Sequence, residues 1–98
     1  MYLVHVHLRH REGALLPIQA PSWIVDAARQ ADSVEHVVVH RPASATPVLG
    51  VYLLADRLED AEQRAADLCR HVLYARPELS GWGVTDAQVP LLRFGLDG

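Results

Sequence analysis

The sequence predicts an α+β domain of order βαββαβ, a four-stranded antiparallel sheet with two helices on one face. Three observations lead there. Four segments have strand length and strand-like patterning, two carry apolar residues at three to four residue spacing, and 98 residues are enough for one core but not two. One domain over 1–98 is expected, and right-handed crossovers give the strand order fourth, first, third, second.

Residues 2–9 alternate as a strand, with Val4, Val6 and Leu8 on one face and Leu3, His5, His7 and Arg9 on the other. Residues 10–21 form a connection containing Gly13, Pro17 and Pro21, in which Leu15, Leu16 and Ile18 lie toward the core. Ser22 is placed to cap a helix over 22–31, where Ile24, Ala27, Ala28 and Ala31 recur at helical spacing. The second strand is 34–40, the loop 41–47 carries two prolines, and the third strand, 48–55, is the most apolar and therefore central. Asp56 and Glu59 resemble a capping box opening a helix over 57–75, with Leu58, Ala61, Ala65, Leu68, Cys69, Val72 and Leu73 as its apolar stripe. Asp60 with Arg64 and Asp67 with His71 are spaced to pair on its solvent face. Pro77 ends this helix, and Ser80, Gly81 and Gly83 mark a turn around Trp82. Residues 89–94 read as the last strand, at an edge because of Pro90.

The alternation sorts the sheet into two faces. Val4, Val6, Leu8, Val37, Val39, Leu49, Val51, Leu53, Leu92 and Phe94 are expected under the helices. The open face then holds His5, His7, Arg9, His36, Val38, His40, Val48, Tyr52, Leu54, Leu91 and Arg93, so four of the six histidines share it.

Composition excludes several classes. Half the residues are hydrophobic, 21% are charged and the net charge is −3, which is not the signature of a disordered chain. The longest apolar run, 48–55, is far short of a membrane span, and histidines and Arg9 interrupt the first ten residues where a leader would be apolar. A cytoplasmic protein is expected. All nine basic residues are Arg, which with abundant Ala, Val and Leu points to a GC-rich bacterial genome of the actinobacterial type. The single Cys69 falls in the helical stripe and reads as a packed, reduced thiol.

Chemistry on the open face has three candidate forms. His5, His7 and Tyr52 are the catalytic candidates, two bases and a hydrogen-bond donor; Arg9, His36, His40 and Arg93 are ligand or interface residues. No metal or cofactor is expected; the metal alternative is His5 with His7, two apart on one strand and about 6.5–7 Å from each other, with His36 and His40 about 10 Å away across two strands. Nucleic acid is not an expected partner, because Tyr52 is the only suitably placed aromatic and the net charge is negative. Trp23 and Trp82 read as core aromatics.

The element order over nearly the whole chain is ferredoxin-like and, with the mixed open face, resembles the dimeric α+β barrel superfamily, which pairs open sheet faces about a two-fold axis. That superfamily includes small monooxygenases, cyclases, isomerases and non-catalytic members. The Asn, Trp and His set of its haem-degrading members has no counterpart, since the chain has no Asn and His71 lies on a helix's solvent side. The mixed apolar and polar open face, with no nucleophile motif, glycine-rich phosphate loop or carboxylate pair beside it, favours a homodimeric binding or assembly module, accessory to a larger enzyme or pathway, with a protein partner or small-molecule ligand. The alternative, which the resemblance implies, is a cofactor-independent dimeric α+β barrel enzyme of the monooxygenase, cyclase or isomerase type acting on a small organic substrate.

Overall fold

The first strand, β1 (Tyr2–His10), obeys its alternation: Val4, Val6 and Leu8 are fully buried, whereas His5 and His7 are half-buried and Arg9 is exposed. The computed structural model describes residues 1–28, 32–41, 43–44 and 46–90. After β1 come α1 (Ala20–Ala27), β2 (Val34–His40), β3 (Val48–Leu53), α2 (Leu58–Ala75), a short 3₁₀ turn over Pro77–Leu79, and β4 (Trp82–Gln88). The sheet is antiparallel throughout and ordered β2-β3-β1-β4, the expected ferredoxin-like arrangement. No helix among the described residues is long and apolar enough to cross a membrane.

One core lies between the sheet and the helices. Val4, Val6, Leu8, Val37, Leu49, Val51 and Leu53 meet Ile24 of α1 and Ala61, Ala65, Leu68, Cys69, Val72 and Leu73 of α2. Each fully buried Val or Leu stabilises by about 1.5–3 kcal/mol relative to exposure. Leu58, expected in this stripe, is 41% exposed because it sits in the first helical turn, at the rim. Burial pushes the Cys69 thiol up to about 12, with Arg70 opposing weakly, so the sulfur behaves as a small apolar group.

Both helix starts differ from expectation. α1 begins at Ala20, because Pro21 has the backbone angle of a first helical turn; Ser22 lies inside that turn and donates to the Gln19 carbonyl at 2.8 Å rather than capping. Its last residue is Ala27, the Ala28 amide closing the end on Ile24 and Val25 carbonyls, and Ala31 lies outside the described residues. At α2 the cap position is Arg57 and no side chain caps it, so the Asp56–Glu59 box does not form; Glu59 lies 3.6 Å from the Arg57 guanidinium. Glu59 and Asp60 still favour the positive end of the helix dipole. Asp67 accepts from Gln63 at 2.9 Å and lies 3.7 Å from Arg70, and Arg64 reaches the Leu54 carbonyl at 3.4 Å, in place of the expected Asp67–His71 and Asp60–Arg64 pairs.

The last strand is a larger correction. β4 occupies Trp82–Gln88, where the sequence predicts a turn, and Trp82 is a strand residue facing the core at 9% exposure; of the expected strand 89–94 only Val89 and Pro90 are described, and neither lies in a strand. Thr85 forms a bulge, since His7 pairs with Asp86 and Leu8 with Val84. Core-facing positions are therefore Trp82, Val84 and Ala87, and this broken period conceals the strand from an alternation argument. The Leu91, Leu92, Arg93 and Phe94 assignments lie outside the described residues.

The turn into β4 packs Gly81 against the His10 ring. With Nδ1 accepting from the Glu12 and Ala14 amides at 3.0 and 3.3 Å, the ring proton sits on Nε2, which donates to the Ser80 carbonyl at 3.2 Å. The ring also meets Trp82 edge-on at 5.2 Å. Gly81 has φ +89°, and a Cβ there would fall 2.6 Å from His10 Nε2. Gly81→Ala should therefore cost more than about 1 kcal/mol in a denaturant melt, both from its backbone angle and from the ring it strikes. In the same measurement Leu68→Ala should cost about 2–5 kcal/mol, as a core cavity does, and exposed Arg64→Ala under about 1 kcal/mol.

Candidate functional site

Opposite the helices the pairing register sets out the open face in rows. Asp86, His7, Val48 and His40 form one row across the four strands, and Gln88, His5, Gly50 and Val38 form the next. Leu3, Tyr52 and His36 make a third, with Arg9 opposite Gly83 at the other end. His5, His7, His36, His40, Tyr52 and Arg9 thus share the face assigned to them, and Arg93 lies outside the described residues. A second bulge, at Glu35, keeps Val34 on the core side while His36 turns outward, a register break that the alternation of β2 does not predict.

The centre of the face is shaped by a glycine. Gly50 stands on β3 between His5 on β1 and Val38 on β2, and it is buried. A Cβ there would lie 3.0 Å from Val38 Cγ2, 3.1 Å from His40 Nε2 and 3.3 Å from Leu3 Cδ1. His40 leans into that space, and its ring centroid comes to 5.4 Å from that of His5, at 61° between planes. The backbone spacing across two strands suggests separation, yet the side chains meet. The signal was in the sequence as a glycine inside an apolar strand, which marks a close approach. On the neighbouring row His36 and Tyr52 pack at 5.9 Å.

Electrostatics follow from this crowding. Partial burial, then His40, then His7 disfavour a charge on His5 and hold its pKa below the usual 6.5. Ring nitrogens of His5, His7, His36 and His40 have no hydrogen-bond partner among the described residues, in contrast to His10, where both are engaged. Among the described residues, no group of three or more His, Cys, Asp or Glu is arranged to hold a metal ion.

Concavity lies elsewhere. Arg9 lines a cleft of about 600 Å³ with Arg11, Gly83 and Thr85, at the end of the open face. A second cleft, of about 480 Å³, runs between the end of α2 and β4 beside Arg70, Tyr74 and Trp82. Neither is lined by His5, His7 or Tyr52. The Arg76 guanidinium lies 4.2 Å over the ring of Trp23, which is expected in the core and is half-buried. Compared with known proteins, the chain matches no protein-family model, no curated protein and no solved structure.

The groups facing His5 are His40, His7 and, beyond His7, Asp86. Because its folded pKa is depressed, the folded chain binds fewer protons than the unfolded one below about pH 6.5, and stability falls as pH drops through that range. In an NMR titration the His5 ring should protonate at a lower pH than a free imidazole, and His40→Ala should bring its midpoint back toward the ordinary value. An unchanged midpoint in that variant would deny the coupling.

Proposed function

We propose that this chain is a small cytoplasmic binding or assembly module, accessory to a larger enzyme or pathway, that pairs with a second copy through the open sheet face. The observation that carries the reading is one-sided cover. Both helices lie over the same face, and on the other Leu3, Val38 and Tyr52 are half-buried with no described element over them; Leu54, next after core-facing Leu53 at the end of β3, is 46% exposed. Such a surface is too apolar to stand alone in water and too polar for a core, which is the composition of an interface.

A second copy suits this face on physical grounds. Two-fold pairing needs only self-complementarity, and neutral imidazoles both donate and accept hydrogen bonds, so His36, His40 and His7 can face their own kind. The bulges at Glu35 and Thr85 disturb both edge strands, which discourages edge-to-edge growth. This is the arrangement of the dimeric α+β barrel proteins that the chain resembles. The enzyme reading on His5, His7 and Tyr52 ranks second, because the clefts described above are lined by other residues.

Sedimentation equilibrium at high micromolar concentration tests the proposal. A dimer is expected, and Leu54→Asp should weaken association by about tenfold or more, since it buries an unpaired charge. Tyr74→Asp, on the exposed side of α2 at 94% exposure, should leave association unchanged. A monomer at that concentration, or equal effects of the two substitutions, would overturn the face as the interface.

A further inference from the structure

We propose that His5 and His40 form a chelating pair for a divalent late-transition cation of the Zn²⁺ or Ni²⁺ type, held over Gly50. Both ligands come from one chain, so the site does not depend on the pairing of two copies. It differs from the His5 and His7 pair that strand periodicity suggests.

The geometry points to this pair. Neighbouring strands lie about 4.8 Å apart, so His5 and His40, with β3 between them, have backbones about 10 Å apart. They meet because position 50 has no side chain, and His40 Nε2 lies only 3.1 Å from where a Cβ would stand. Gly50 is the residue directly opposite His5, so this nitrogen is already directed toward the strand position beside His5.

Coordination distances make the fit quantitative. A zinc-bound imidazole nitrogen lies about 2.0–2.1 Å from the metal, which puts the ring centroid about 3.2 Å away. Two rings at a tetrahedral angle then have centroids about 5.2 Å apart. The observed separation is 5.4 Å. Binding therefore needs rotation of the rings about their last torsion, a broad and soft one, and no movement of the sheet.

Donor chemistry selects the cation. Imidazole suits zinc, nickel and copper, whereas calcium and magnesium demand oxygen ligands that neither residue supplies. The ring nitrogens are free of protein hydrogen bonds among the described residues.

Isothermal titration of the full chain, freed of metal by chelator, with ZnCl₂ tests the site. One ion per chain is expected, with His5→Ala and His40→Ala each weakening binding by about tenfold or more and His36→Ala and His71→Ala leaving it unchanged. Gly50→Val, which keeps both imidazoles but fills the space between them, should weaken binding too; circular dichroism checks that each variant is folded. In a second readout, the ring resonances of His5 and His40 should shift together as zinc is added, and MgCl₂ should move neither. Absence of zinc binding, or binding indifferent to His40→Ala, would overturn the proposal. Running the same titration on the Leu54→Asp variant separates this result from pairing: zinc bound there with the same histidine dependence supports a site within one chain, and zinc bound only by associated wild-type chains refutes it.

Discussion

One-sided burial of a four-stranded sheet is the constraint on which the rest of this structure depends. Side chains on a strand alternate between faces, so placing Val4, Val6, Leu8, Leu49, Val51 and Leu53 under the helices obliges His5, His7, Val48, Gly50 and Tyr52 to the other side. A register slip of one residue would exchange the two sets, and six aliphatic side chains lost from the core cost far more than any arrangement of imidazoles returns. The histidine face is thus held in place by the hydrophobic face behind it. Its residues need no mutual attraction to be gathered there.

On that face a missing side chain decides what meets what. Imidazoles on β1 and β2 belong to strands that do not touch, and an ordinary residue on β3 would keep them apart. Gly50 removes the separation and joins His5 and His40 into one cluster. Glycine weakens a strand interior, yet at this place it sits between fully buried Leu49 and Val51, where packing on the core side supports the strand. The His40 share in the lowered His5 pKa and the proposed cation pair both depend on that contact.

The edges of the sheet are shaped by a different device. β2 and β4 are its two edge strands, and each contains a bulge, at Glu35 and at Thr85. A bulge twists an edge and interrupts its row of free backbone groups. Thr85 also ties its hydroxyl to the His7 carbonyl at 3.2 Å, so the irregularity is anchored to β1. At the far end of β4 the Val89 amide donates to Glu62 of α2 at 3.0 Å, fastening the strand to the helix layer.

Local patterning by itself determined the class of this protein, its element order, the limits of β2 and the long amphipathic helix, because each is a periodicity that a few neighbouring residues carry. It also determined which histidines share a face, since alternation is a property of the strand and needs no partner. Only tertiary structure decided the position of β4, the absence of a cap at α2 and the starting point of α1. In β4 the bulge at Thr85 shifts Ala87 into phase with Val84 across β1, a relation that exists only once the two strands pair. Tertiary structure alone also brought His40 to His5, because residues 35 apart in sequence meet through the gap at Gly50, and that gap appears only when β1, β3 and β2 lie side by side.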